Sequence, residues 1–279
     1  MTTYKLTMSY DGSFFAGFQR QSDASLVTVQ GLLEQTIAEL FGAPVHIHGA
    51  GRTDAGVHAR AQVAHFSFAR QIPAQRLCYA LNRALPPALV IREAEVVDAA
   101  FHARKSAVGK WYSYRIFNAQ TPPALGHGYF THIPQPMDQA LFRQALAQMV
   151  GAHNFEGFCG RGATVKTFER TLYLAKLCID AENPAWWHIH FVGDGFLRKM
   201  VRNLVGTAVD IALGRRPLGC VQDALVTHNR SKAGPTAPAD GLTMEEVFYE
   251  QTRLQACIAT LAERPETVVV PLCGEDVYF

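Results

Sequence analysis

The richest chemistry in this chain sits in one short loop. Residues 49–58 read Gly-Ala-Gly-Arg-Thr-Asp-Ala-Gly-Val-His. The glycines permit tight backbone geometry and keep side chains away from Arg52 and Asp54, so a substrate can approach both charges. The plain alternative is an ordinary turn whose aspartate bonds its own backbone. A dinucleotide fingerprint fits poorly, because a G-x-G-x-x-G begun at Gly49 meets Asp54 where the third glycine belongs, and no helical pattern follows.

Two further segments carry reactive types. In residues 110–115, Lys-Trp-Tyr-Ser-Tyr-Arg, strand alternation puts Tyr112 and Tyr114 on one face with Lys110 and Ile116. A tyrosine can stack on a base, and its hydroxyl can move a proton. The alternative is a pair of core aromatics, preferred for Tyr114. In the helix expected over 196–213, Met200, Leu204, Thr207, Ala208 and Ile211 form an apolar stripe, while Arg198, Arg202 and Gly206 share another face. An arginine entering a semi-apolar cleft needs a carboxylate or phosphate partner, and Asp54 is a candidate. Otherwise it is a surface arginine with a snorkelling stem. His46 with His48, and His188 with His190, pair on strand faces but lack a third ligand at useful spacing, so no metal is expected.

The elements that must position these groups follow from periodicity. Strands are expected at 4–10, 45–48, 62–68 and 89–97, with helices from the cap Thr28 to Gly42 and over 73–85. The second half repeats the order, with strands at 110–118, 171–179, 186–192 and 245–249 and helices over 138–150 and 196–213; a shorter extra helix falls near 218–226. Each half therefore reads β-α-β-β-α-β, the split βαβ unit. This predicts an α+β fold of two ferredoxin-like units, 1–105 and 106–250, forming a continuous, mainly antiparallel sheet with a central cleft. Residues 251–279 form an extension with helical spacing at Leu254, Ile258 and Leu261 and a possible strand over 267–272.

The bulk numbers suit a globular protein: 279 residues, 48% hydrophobic and 18% charged. Net charge is only +2, but it is unevenly spread. Residues 51–116 hold ten Lys/Arg and four Asp/Glu, residues 195–232 hold seven and two, and residues 245–279 hold two and seven. Two basic stretches and an acidic tail are compatible with a polyanion on one face; alone they read as solvated surface. The six cysteines form no C-x-x-C pair and lie in apolar segments, which points to a reducing compartment. The N-terminus lacks a signal pattern and no apolar run is long enough for a bilayer, so a cytoplasmic, non-membrane protein is expected.

Taken together, the loop, the tyrosine strand and the arginine helix resemble the tRNA pseudouridine synthase A family. The specific block is Gly-Arg-Thr-Asp-Ala-Gly-Val-His-Ala at 51–59. Supporting pieces are Tyr10-Asp11-Gly12, Gly17-Phe18-Gln19, Val29-Gln30-Gly31, Phe101-His102-Ala103-Arg104, 200–206 and Ala237-Pro238. The resemblance covers about residues 3–250; the stretch 159–169 is loosely matched. It implies a homodimer acting on uridines 38, 39 and 40 in the anticodon stem-loop of tRNA. It also implies roles: Asp54 as the catalytic aspartate, Arg52 supporting the flipped-out nucleotide, Tyr112 stacking on the target base and taking its C5 proton, and Arg202 pairing with the aspartate. The stretch 159–169 is then a loop contacting RNA or partner. Such an isomerisation needs no redox cofactor and no metal-activated water. Glycoside hydrolysis would also act at C1′, but it normally needs two facing carboxylates, and Asp54 has no acidic companion in the matching segments. A plain RNA-binding module would explain the basic stretches and aromatics; it would not explain a carboxylate placed among phosphate-binding charges.

Overall fold

The computed structural model describes residues 1–162 and 165–268. In chain order its elements are β1 (Thr2–Tyr10), α1 (Val29–Phe41), β2 (His48–Gly49), β3 (His58–Phe68), α2 (Ala74–Ala84), β4 (Leu89–Val97), β5 (Gly109–Phe117), β6 (Thr131–His132), α3 (Gln139–Met149), β7 (Gly151–Asn154), β8 (Glu169–Asp180), β9 (Trp186–Gly193), α4 (Met200–Ala212), α5 (Cys220–Thr227), β10 (Leu242–Phe248), α6 (Gln251–Glu263) and β11 (Thr267–Val268). The class is mixed α+β with mostly antiparallel strand pairs, as the sequence pattern predicts. Two compact units divide the chain. The first comprises Met1–Tyr112 and Leu242–Leu254; the second comprises Ser113–Gly241 and Gln255–Phe279.

In the first unit, β1 alternates buried Tyr4, Leu6, Met8 and Tyr10 with more exposed neighbours. It is flanked by β3 and β4, both antiparallel to it. Strand β10 adds in parallel to the start of β3, pairing Thr243 with His58 and Met244 with Ala59. Helix α1 starts at Thr28, whose hydroxyl accepts from the Gly31 amide at 3.2 Å. It stops at Gly42, in the left-handed conformation with φ 74°. Its stripe of Val29, Leu33 and Ile37 is fully buried.

In the second unit, β8 pairs antiparallel with β7 and β9 and parallel with β11. Helix α4 buries Met200, Leu204, Thr207, Ala208 and Ile211, the stripe expected from spacing. Its start differs from the expectation. Residues 196–199 are not helical, because Lys199 adopts φ 58°, a left-handed conformation that no helix continues through. The Arg198 carbonyl instead accepts from the Gly160 amide at 2.7 Å. Arg198 therefore shares no helical face with Arg202, contrary to the pattern. The strand expected at 45–48 is likewise displaced to β2. Residues 159–162 fold onto Arg198, whose Nη1 donates to the Arg161 carbonyl at 3.0 Å. Of the strand expected at 267–272, β11 is described and residues 269–272 lie outside the described residues, as do Cys273 and residues 163–164. No described helix is long and apolar enough to cross a membrane.

Candidate active site

The aspartate loop is fixed at both ends by backbone and along its length by side chains. It begins in the β2–β3 hairpin, where the Ala50 amide donates to the Val63 carbonyl at 2.7 Å. The Gly51 carbonyl accepts from Gln62 Nε2 at 3.0 Å. The Thr53 carbonyl accepts from the Phe18 amide at 3.1 Å, and the Asp54 carbonyl closes a turn with the Val57 amide at 3.2 Å. Gly17 is required here. Its φ is +97°, and a Cβ would lie 2.9 Å from the Thr53 carbonyl oxygen. The Thr53 hydroxyl, buried, bonds the Tyr10 hydroxyl at 2.8 Å. Asp54 itself is partly exposed, on a loop held by these backbone and side-chain bonds.

Arg52 is exposed but held. Its Nε donates to Gln19 Oε1 at 3.1 Å; Gln19 Nε2 donates to Gln30 Oε1 at 2.6 Å; Gln30 Nε2 donates to Glu34 Oε1 at 2.8 Å. Gln30 Oε1 also accepts the Arg20 amide, and Glu34 Oε1 accepts the Ile47 amide, each at 3.0 Å. A polar line thus runs from the buried face of α1 to the guanidinium. Tyr112, at the end of the first unit's share of β5, is 6% exposed. Burial, and then the nearby Tyr10 and Asp54, push its phenol well above the ordinary tyrosine range. Lys110 approaches the same loop: a Cβ on Gly51 would lie 3.6 Å from its Nζ. Asp54, Arg52, Tyr112 and Lys110 therefore belong to one unit.

Arg202 lies in the first turn of α4, in the second unit. Its Nε donates to the Ala237 carbonyl at 2.7 Å, and its own carbonyl accepts the Ala237 amide at 3.0 Å. The strap 233–238 that supplies Ala237 lies directly on the helix. A Cβ on Gly206 would collide with the Pro235 carbonyl oxygen, and one on Gly234 would lie 2.6 Å from Thr207 Cα. Arg230 ties the strap down, donating to Gly234 O at 2.7 Å and Asn203 Oδ1 at 2.9 Å. Tyr114 is fully buried, its hydroxyl on Thr131 Oγ1 at 2.6 Å and Pro238 O at 2.9 Å, which makes it a core residue.

Sequence reasoning missed Tyr10, Thr53, Gln30, Glu34 and Arg230. One signal was available: Gln30 and Glu34 fall on the apolar stripe of α1, where an unpaired polar group would be costly. His46 and His48 do gather, with His65 and His102: ring centroids are 4.4 Å apart for 46–48, 5.0 Å for 48–65 and 4.7 Å for 65–102. The rings pack against one another, and no group of three candidate ligands among the described residues could hold a metal ion.

The family model described as tRNA pseudouridine synthase matches residues 6–104 and 145–250. A tRNA pseudouridine synthase A of Moorella thermoacetica is 41% identical over 249 residues, covering 89% of this chain and 100% of the relative. Those of Streptococcus thermophilus (40% over 251 residues, 90% and 100%) and Lacticaseibacillus casei (41% over 252 residues, 89% and 100%) are similar to the same extent.

Proposed function

The chain belongs to the tRNA pseudouridine synthase family, and from that premise we propose that it isomerises uridine to pseudouridine at positions 38, 39 and 40 of the tRNA anticodon stem-loop, with Asp54 as the catalytic carboxylate. The observation that carries the reading is Asp54 on a pinned, glycine-cleared loop, with a neutral phenol, Tyr112, near enough to feel its charge.

The chemistry asks for little else. The N1–C1′ bond breaks, the uracil turns, and C5 joins C1′. Atoms and electrons balance within the nucleotide, so neither redox cofactor nor metal-activated water is needed. The uridine must leave its stack, at a cost of a few kcal/mol. Arg52 is the group assigned to support the everted nucleotide, and the line Gln19–Gln30–Glu34 keeps its guanidinium ready. Asp54 acts at the ribose, either attacking C1′ or removing a C2′ proton. Tyr112 stacks on the base and receives the C5 proton as aromaticity is restored. Because its environment favours the neutral phenol, its hydroxyl passes its own proton to a water as it takes the one from C5, and so ends the step as a hydroxyl again. Arg202 is assigned the role of keeping Asp54 ionised, an assignment carried from the family resemblance. The protein acts in the cytoplasm as a homodimer in this reading.

The test is incubation with unmodified tRNA and mapping of pseudouridine by position. Product is expected at 38, 39 and 40. Asp54→Asn is expected to bind tRNA and make no product; turnover by that variant would refute the assignment. Sedimentation of the protein with and without tRNA tests the homodimer.

A further inference from the structure

We propose that Tyr10 is a positioning residue for the Asp54 carboxylate, acting through the hydroxyl of Thr53. The proposal rests on the reading of Asp54 given above and names what orients it.

The two hydroxyls meet at 2.8 Å in a buried site. Tyr10 is 5% exposed and Thr53 7%. The strand geometry is arranged around this meeting. The β1–β3 register runs Met8↔Gln62 and then Tyr10↔Ala59, so two steps on β1 face three on β3. Such an irregularity beside a site re-aims side chains. Here Gln62 falls at the slip, and its Nε2 donates both to the Gly51 carbonyl at 3.0 Å and, at a longer 3.4 Å, to the Tyr10 hydroxyl.

Hydrogen counting shows what the pair shares. Gln62 Nε2 has two hydrogens, and both are used: one on Gly51, one on Tyr10. The phenol stays neutral, its pKa pushed up to about 12 by burial, so Tyr10 and Thr53 share a hydroxyl–hydroxyl bond in which either oxygen can donate. The Thr53 hydroxyl belongs to the residue immediately before Asp54. Tyr10 thus fixes the Thr53 rotamer, and with it the backbone step that leads into Asp54. The backbone holds the loop in place; the Tyr10–Thr53 bond holds its last step before the carboxylate. A misaligned catalytic group costs rate rather than affinity, up to about 100-fold for 1 Å.

The experiment compares kcat, KM for tRNA and melting temperature across single and double variants. Tyr10→Phe keeps the ring and removes the hydroxyl; it is expected to lower kcat about tenfold, within the range misplacement can produce, with KM for tRNA little changed. Thr53→Val is expected to lower kcat comparably, and Thr53→Ser to recover most of that loss. The double variant Tyr10→Phe with Thr53→Val is expected to lose no more than the worse single variant, because the two act in series. Unchanged kcat in Tyr10→Phe, losses that multiply in the double variant, or a kcat loss that vanishes once assays are run well below the lowered melting temperature would each overturn the proposal. Asp54→Asn run in parallel separates the two levels. Turnover surviving there refutes the underlying reading, whereas turnover lost there and retained in Tyr10→Phe refutes only the role of Tyr10.

Discussion

Replacing Gly206 by alanine should disable turnover through a contact that touches no reacting group. A Cβ at 206 would overlap the Pro235 carbonyl oxygen, lie 2.9 Å from the Pro235 carbonyl carbon and 3.1 Å from the Ala237 amide nitrogen. These neighbours are backbone, and ordinary carbon contacts need about 3.5 Å or more. At Pro235 the strap must therefore retreat by about 1.5 Å. Ala237 moves with it, and its carbonyl is the acceptor that holds Arg202 Nε at 2.7 Å. Overpacking of this kind costs about 1–3 kcal/mol, which lowers the melting temperature by about 2–10 °C for a chain of this size. A displacement of about 1 Å at an orienting contact costs up to about 100-fold in kcat. Gly214→Ala is the control. Gly214 has φ +69° and open space around its Cβ position, so alanine there loses about 1 kcal/mol through backbone conformation alone and leaves the strap untouched. Pseudouridine formation under saturating tRNA, measured beside thermal melts, should show kcat falling in Gly206→Ala and holding in Gly214→Ala. Equal kcat in the two variants would refute the link between strap, Arg202 and turnover.

Two more expectations follow from groups outside the reacting centre. Gln30→Leu breaks the line to Arg52 while preserving apolar volume, and should raise KM for tRNA severalfold with a smaller change in kcat; an unchanged KM would show that Arg52 needs no such support. His65 has its pKa lowered to about 4, first by burial and then by His102 and His48, while its Nδ1 accepts the Ala103 amide at 3.1 Å. Its folded state prefers the neutral ring, so its contribution is complete above the unfolded pKa of about 6.5 and is lost as pH falls toward 4. His65→Gln should flatten the fall in melting temperature between those two pH values; an unaltered slope would count against His65 as its source.

The loop that carries Asp54 was legible because its information is local. Asp54 and Arg52 stand among Gly49, Gly51 and Gly56 in one short run of sequence. The α1 boundaries were legible for the same reason, since Thr28 and Gly42 signal the ends within a turn. The start of α4 was not. Lys199 takes a left-handed conformation that its residue type disfavours, and the compensating bond comes from Gly160, far away in sequence. The support of Arg52 was hidden similarly: Gln19, Gln30 and Arg52 are polar residues whose partnership exists only once α1 lies beside the loop. The pairing of Tyr10 with Thr53 needs a register slip between β1 and β3, and periodicity carries no trace of it. Strands as short as β6 and β7 hold too few residues to show alternation at all.

The parallel addition of β10 to β3 has a consequence for the order of events at the ribosome. The strand leading out of the aspartate loop acquires its outer neighbour from residues 242–248, so the chain must emerge through residue 248 before that edge is covered. A growing chain can assemble β1, β3 and β4 early, yet its Asp54 stays on an unfinished framework until β10 arrives. Nascent intermediates would therefore expose the bare flank of β3, and the carboxylate would gain its completed surroundings only once residues 242–248 have been made.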